Sequence, residues 1–302
     1  MSSLNILVLA GTHGNEINAP WLLSNMTNYH DLIISHGFNI CTAIGNPLAL
    51  EKGIRYLDRD LNRSFTPKLI NSSNKDYEIQ RARELINQYG PQSNRPCQIA
   101  IDLHSTTSAM GNCLVIYGRR PADLALASMI QLKLGLPIYL HEGDQTQTGF
   151  LVESWPCGLV IEVGPVPQGI LRYEIVKQTQ IALQSCLDEL FHLKHEKAKF
   201  PENLEVHIHL GSLDFPRDSS GKINACISPS REGMDWIEIV KGEPLFAFPD
   251  GKTIDYEDDI NSIPVFINEA AYAEKGIAMS LTKKEVWEFS SEWRDSLLDL
   301  IE

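Results

Sequence analysis

Apolar and polar positions fall into two regimes along this chain. Over the first two-thirds, short apolar runs alternate with longer amphipathic stretches. Residues 4–10 form a continuous apolar run of strand length, the pattern of a strand buried on both faces. Asn15 to about Tyr29 reads as a helix, 38–43 as a strand broken by Gly45-Asn46-Pro47, and 77–89 as a helix stopped by Gly90-Pro91. Strands at 97–101, 113–117, 138–141 and 158–164 and helices at 121–135 and 172–195 continue the alternation. In the last helix Ile175, Leu183, Leu187, Leu190 and Phe191 are the expected core contacts. Such alternation predicts an α/β fold.

From about residue 200 strands follow one another without helices. Val206, Ile208 and Leu210 alternate with His207 and His209, a turn at 217–221 lets 223–227 pair back, and Pro249-Asp250-Gly251 joins 245–248 to 253–254. Residues 265–272 close the set, and 291–301 read as a short amphipathic helix that packs against the rest. This predicts an α/β domain over 1–199 and a smaller β-rich domain over 200–302. His207 and His209 share a strand face, which invites a metal reading, but their alternation with apolar neighbours favours a solvated face.

Three strand ends carry candidate chemistry. The first strand ends in Gly11-Thr12-His13-Gly14-Asn15-Glu16. The crevice beyond the carboxyl ends of such strands is where open α/β sheets bind ligands. An i, i+3 histidine and carboxylate at a helix start can converge on one point, and both suit zinc. A nucleotide-binding turn would need G-x-G-x-x-G spacing, which is missing. A helix cap for His13 or a helix-dipole role for Glu16 stays open on this turn alone. The strand ending in Asp102-Leu103-His104 supplies a third candidate ligand, His104. A short-spaced pair plus a distant third ligand is the pattern of a catalytic zinc. Asp102, two residues earlier, points to the same side and is placed to hold a ligand imidazole in one tautomer, or to cap a turn. The third strand end contains Glu162 inside Gly158-Leu159-Val160-Ile161-Glu162-Val163-Gly164. A carboxylate in an apolar strand is costly without a partner or a task. Burial raises its pKa, which suits a general acid/base, or it forms a structural ion pair. Residues 55–65 are dense in charge, and this segment is either a solvated surface loop or a binding loop. Its arginines, Arg55 and Arg63 among them, offer planar forks to a carboxylate or a developing oxyanion, and Asn62 adds a neutral donor.

Composition narrows the classes. The chain has 302 residues and a net charge of −13, which argues against nucleic acid or anionic lipid as the main partner. A small anionic substrate needs only a local arginine cluster. No apolar stretch approaches the ~18 residues of a membrane span. The N-terminus runs into the first strand without a basic-then-apolar signal, so a cytoplasmic protein is expected. The six cysteines form no C-x-x-C pair and are expected as buried free thiols.

These residues resemble the aspartoacylase family. The resemblance lies in 11–16, in Arg55-Tyr56 with Asp60-Leu61-Asn62-Arg63, and in Asp102-Leu103-His104. It continues in Ile161–Pro165 with Pro167-Gln168-Gly169 and in Asn268-Glu269-Ala270-Ala271-Tyr272. The motifs occur in the family's order and span most of the chain. The resemblance implies a zinc-carboxypeptidase-like mixed sheet flanked by helices, with a β-rich C-terminal domain at the substrate entrance. It implies hydrolysis of an N-acyl amino acid, N-acetyl-aspartate in the type enzyme, to acetate and aspartate. By position, His13, Glu16 and His104 match ligands of one zinc, and Glu162 the catalytic acid/base. Arg55, Asn62, Arg63 and Tyr272 match substrate contacts, with Arg55 also stabilising the oxyanion. A homo-oligomer is the family's suggestion. One departure stands out. The family enzyme holds the substrate side-chain carboxylate with a further arginine shortly before the catalytic glutamate. No arginine lies here between Arg120 and Arg172, and Gln145–Trp155 offers none. Either another cation takes that role or a different acyl amino acid is preferred. A related zinc amidohydrolase or carboxypeptidase is the first rival, and a non-enzymatic metal- or ligand-binding protein the second.

Overall fold

The apolar run at the N-terminus becomes a strand with the sheet on both its sides. The computed structural model describes residues 4–29, 31–144 and 147–302. Gln145, which opens the segment 145–155 noted above, and Thr146 lie outside the described residues. The strands are β1 (Asn5–Ala10), β2 (Asn39–Ile44), β3 (Ile99–Ser105), β4 (Cys113–Tyr117), β5 (Ile138–His141) and β6 (Cys157–Val163). Beyond them come β7 (Asn203–Asp214), β8 (Cys226–Ile227), β9 (Pro244–Ala247), β10 (Thr253–Asp255), β11 (Ile263–Val265) and β12 (Ile277–Glu288). The helices are α1 (Asn18–Asn25), α2 (Pro47–Lys52), α3 (Pro67–Ile70), α4 (Tyr77–Tyr89), α5 (Pro121–Leu134), α6 (Tyr173–Lys194) and α7 (Ser291–Ile301).

Among the described residues, nine strands form one sheet in the order β11-β12-β7-β5-β4-β6-β3-β1-β2, and β10-β9-β8 form a second, smaller sheet. β2, β1, β3 and β6 run parallel, as do β4, β5 and β7. The junction of β4 with β6 and the pairings of β12 with β7 and β11 are antiparallel. The sheet is therefore mixed and flanked by helices, as the α/β reading and the resemblance imply.

Strand alternation splits the core into layers. Ile6 and Val8 of β1, Ile99 and Ile101 of β3 and Leu159 and Ile161 of β6 pack in one layer with α5, α6 and α7. Leu7, Leu9, Ala100 and Val160 point the other way, toward α4, Leu61 and Trp155. Ile227, Leu245, Phe246 and Met279 build a third cluster around the smaller sheet. Of the contacts expected on α6, Ile175, Leu183, Leu187 and Leu190 are buried, and Phe191 packs against them partly buried.

Several expectations need correction. The first helix spans only Asn18–Asn25. Its end is set by Ser24 and Asn25, whose side chains both donate to the Trp21 carbonyl at 2.8 Å, competing with the next helical turn. Residues 265–272 are not one strand. β11 ends at Val265, Phe266 and Asn268 take φ of 54°, and Ala270–Tyr272 is a 3₁₀ turn. The 12-residue β12 is not evident in the sequence pattern, because a register shift at Leu281/Thr282 breaks its alternation. His207 and His209 are 5% and 6% exposed, not solvated, because β7 lies between β5 and β12 and both its faces are covered. Cys97, Cys113, Cys157 and Cys186 are buried free thiols, while Cys226 is exposed and Cys41 half-buried. Among the described residues no helix is long and apolar enough to cross a membrane.

Candidate active site

The turn after β1 is shaped by two glycines. Gly11 takes φ of +64°, a conformation glycine adopts without the cost a Cβ imposes. Gly14 lies against α2, where an added Cβ would come within 2.1 Å of the Ala49 carbonyl carbon. The Glu16 N–H donates to the His13 carbonyl at 3.2 Å. Glu16 thus sits in a buried turn two residues ahead of α1. His13 and Glu16 converge through this turn, not through a helix start, and the helix-dipole alternative falls away.

Period two on β3 puts Asp102 and His104 on one face, and the parallel register pairs His104 with Glu162 of β6. Glu16 then lies between two imidazoles. Its Oε1 is 2.7 Å from His13 Nδ1 and its Oε2 3.0 Å from His104 Nδ1. The far nitrogens are held by carboxylates as well. His104 Nε2 is 2.8 Å from Asp102 Oδ2, and His13 Nε2 is 3.1 Å from Asp60 Oδ1. Thr12 donates its hydroxyl to Asp102 at 2.9 Å, and Asp60 also accepts from Arg55 Nη2 at 3.1 Å. Burial alone would raise the Glu16 carboxyl. The charges of His13 and His104 outweigh it and hold Glu16 far below the usual carboxylate range. His104 is held well above the usual histidine value, where Asp102 and Glu16 overcome its burial.

This donor set fits a zinc ion. Two imidazole Nδ1 atoms and a carboxylate converge, all three residues are buried, and each imidazole's second nitrogen has the carboxylate partner that fixes tautomer and orientation in zinc sites.

Glu162 lines the same cavity. Burial pushes its carboxyl up to about 7, with Glu16 and Glu269 acting in the same direction and His104 and His13 opposing. Arg55 Nη1 lies 3.7 Å from Glu16 Oε1. Asn62 accepts the Leu151 N–H at its Oδ1, 2.8 Å away, so its remaining side-chain donor is Nδ2. Arg63 donates from Nη2 to Gln147 at 2.8 Å, and its guanidinium lies 4.2 Å over the Phe150 ring. Tyr272, from the turn after β11, lines the cavity, and burial raises its phenol, so the hydroxyl keeps its proton. All eight site residues expected from the sequence therefore meet around one cavity.

Other residues of the site escape sequence reasoning. Asp60 lies in a quoted motif, but only the folded loop reveals that it holds His13. Glu269 accepts from the Thr106 hydroxyl, from Thr107 N at 2.8 Å and Oγ1 at 2.9 Å, from Ser108 N at 3.1 Å and from Ala271 N at 3.1 Å. It ties the turn bearing Tyr272 to the end of β3. Tyr117 and Phe150, stacked with ring centroids 3.8 Å apart, form an aromatic wall of the cavity. His141 lines it too, and burial and then His209 and Arg63 push its imidazole down to about 3.

The chain is also similar to known proteins. A family model described as the succinylglutamate desuccinylase/aspartoacylase catalytic domain matches residues 2–190. A second, the AstE/AspA barrel-sandwich hybrid domain, matches 202–284. A protein of Prochlorococcus marinus named "Probable aspartoacylase" is 56% identical over 100% of this chain and 99% of its own. One of the same name from a Synechococcus species is 54% identical, again over 100% and 99%. The crystal structure of murine aminoacylase 3 superposes with a TM-score of 0.86 at 32% identity, covering 95% of this chain and 97% of that one. A succinylglutamate desuccinylase from Vibrio parahaemolyticus shares the fold, with a TM-score of 0.61 at 18% identity, 95% of this chain and 82% of that one.

Proposed function

The chain belongs to the succinylglutamate desuccinylase/aspartoacylase family of deacylases, and from that premise we propose that it is a zinc-dependent amide hydrolase that removes the acyl group from an N-acyl amino acid, N-acetyl-aspartate being the first substrate to test. One observation carries the reading: Glu162, with a carboxyl raised to about 7, stands in register with His104 beside Glu16 and His13. The division into a catalytic part over 1–199 and an entrance part over 200–302 belongs to the same proposal. It is supported by Tyr272, which reaches the cavity from the second part.

His13, Glu16 and His104 would hold the zinc. When bound, the metal supplies a Lewis acid that lowers the pKa of water and polarises a carbonyl. Glu162 takes a proton at its carboxylate from the water whose oxygen adds to the amide carbonyl carbon, and returns it to the amine nitrogen as the C–N bond breaks, a sequence favoured when the pKa lies near the working pH. Arg55, fixed by Asp60, directs its guanidinium charge to the oxyanion. Preorganised donors of this kind are often the largest catalytic contribution. Arg63 and Asn62 hold the substrate α-carboxylate, and Tyr272 donates a further hydrogen bond.

A second reading concerns the substrate side chain. Between Arg120 and Arg172 there is no arginine, and Tyr117, Phe150 and Phe266 line the cavity. That lining favours an N-acyl amino acid with an uncharged side chain. The test of both readings is acetate release by the zinc-loaded protein from N-acetyl-aspartate and from N-acetyl-phenylalanine, with a chelated sample alongside. Turnover lost on chelation supports the reaction class, and the ratio of the two kcat/KM values decides between the side chains. Absence of turnover with any N-acyl amino acid, in protein that retains zinc, would overturn the proposal.

A further inference from the structure

Among the described residues, two groups bring three metal-ligating side chains together. One is His13, Glu16 and His104. The other is His141, Asp144 and His209, and neither the reaction above nor the family motifs use it. His141 is the last residue of β5, Asp144 follows three residues later, and His209 reaches in from the adjoining strand β7. One ligand atom from each residue lies within 4.8 Å of the others.

The two imidazoles are more than nine-tenths buried, at 7% and 6% exposure. Both Nε2 atoms are buried, with no hydrogen-bond partner among the described residues. His209 Nε2 stands 3.7 Å from Asp144 Oδ2, beyond hydrogen-bond length. A buried polar atom left unpaired is costly, so two on neighbouring residues call for a ligand. The rings are stacked, with centroids 4.7 Å apart, so their edges can face a common point. His209 is held from behind: its Nδ1 is 2.9 Å from the Tyr139 hydroxyl. A hydrogen bond on the nitrogen opposite the ligand is how metal-binding histidines are oriented.

We propose that His141, Asp144 and His209 form a second metal site, which takes a borderline divalent cation of the zinc, cobalt or nickel class. Two imidazoles and one carboxylate match that class better than calcium or magnesium, which prefer all-oxygen shells. Ligand atoms around a tetrahedral zinc stand about 3.4 Å apart for bonds of ~2.1 Å, so small side-chain rotations draw the three inward. The ion ties the segment after β5 to β7. Because His141 also lines the substrate cavity, it adds positive charge to a wall that no arginine between 120 and 172 serves.

The test is metal stoichiometry. Metal-free protein is dialysed against excess zinc or cobalt, and bound metal per chain is measured by plasma mass spectrometry. Cobalt is also followed by its visible absorption. The expected result is two ions in the wild type, one in His209→Ala, one in Glu16→Gln and none in the double variant. Asp144→Asn, a conservative change, should also hold one ion at metal concentrations that fill both sites of the wild type, and it keeps the test valid if His209→Ala does not fold. A wild type that saturates at one ion, lost in Glu16→Gln, overturns the inference. So does a folded His209→Ala or Asp144→Asn protein that still binds two. One ion that persists in Glu16→Gln and disappears in His209→Ala upholds this site and overturns the assignment of the other.

Discussion

His104 and Glu162 are register partners on the parallel strands β3 and β6, so the side chains of a candidate ligand and a candidate base leave the sheet side by side, on the same face. The backbone ladder, not a flexible loop, sets their separation. Glu162→Gln keeps size and shape and removes only the ability to accept and return a proton. It is expected to lower kcat by about 10²–10⁴-fold while bound zinc stays at the wild-type level. Steady-state kinetics with metal analysis of the same sample checks this. Near-wild-type kcat would remove Glu162 from the role of base.

The pH profile carries the sign of the same carboxyl. Burial raises Glu162 to about 7, so it is protonated below that value and ionised above it. The reacting form of a general base is ionised. kcat/KM is therefore expected to rise with pH through about 7 and then level. An acidic limb near 4.5, the ordinary glutamate value, would mean that the group limiting the reaction is not buried Glu162. A profile measured between pH 5 and 9 distinguishes the two.

The far sides of the two imidazoles make a separate prediction. Asp102 and Asp60 hold His104 and His13 by the nitrogens that do not face Glu16. Loss of such supporting carboxylates weakens metal binding by about 10–100-fold. Asp102→Asn and Asp60→Asn should each show this in competition with a chromogenic chelator. Asp60→Asn should also lower kcat, because it releases Arg55. Asp102→Asn leaves the Asp60–Arg55 pair in place and should show the metal effect first.

Glu269 offers a test of stability. Its carboxylate accepts from three backbone N–H groups and two hydroxyls of the segments it joins. Glu269→Ala leaves buried donors unpaired, at a cost of about 3 kcal/mol or more. The expected outcome is a markedly lower midpoint of chemical denaturation, with reduced kcat/KM because Tyr272 loses its anchor. Glu269→Gln keeps an acceptor oxygen and should fall between the two.

How far the sequence reveals this site follows from the physics of each residue. Glu162, Asp102 and His104 stand out because β3 and β6 are apolar on both faces, so any polar side chain there breaks the pattern. Period two then places Asp102 and His104 on one side without further knowledge. His13 and Glu16 are legible as a pair, but not their geometry, because a buried turn brings them together rather than the helix that the spacing suggests. The role of Asp60 is hidden, since the coil that carries it has no periodicity from which a direction can be inferred. His207 and His209 read as solvated because strand order is a long-range property. Nothing local in β7 tells that β5 and β12 flank it. Tyr272 and Glu269 are reachable only through the family motif, because 3₁₀ turns leave no periodic trace.

Arg63 supplies the last prediction, on binding rather than chemistry. Its guanidinium is positioned by Gln147, by the Asn62 carbonyl at 2.7 Å and by the face of Phe150, while its buried Nε has no partner among the described residues. A group so held is prepared for a carboxylate, and a hydrogen bond to a charged partner contributes about 1.5–3 kcal/mol. Arg63→Ala is therefore expected to lower kcat/KM by roughly 10–150-fold, mostly through KM, because the α-carboxylate is equally charged in ground and transition states. Arg63→Lys should recover little of it, since a point charge neither forks nor stacks on Phe150 in the same way. A loss confined to kcat would assign Arg63 to the oxyanion and leave the α-carboxylate to other donors.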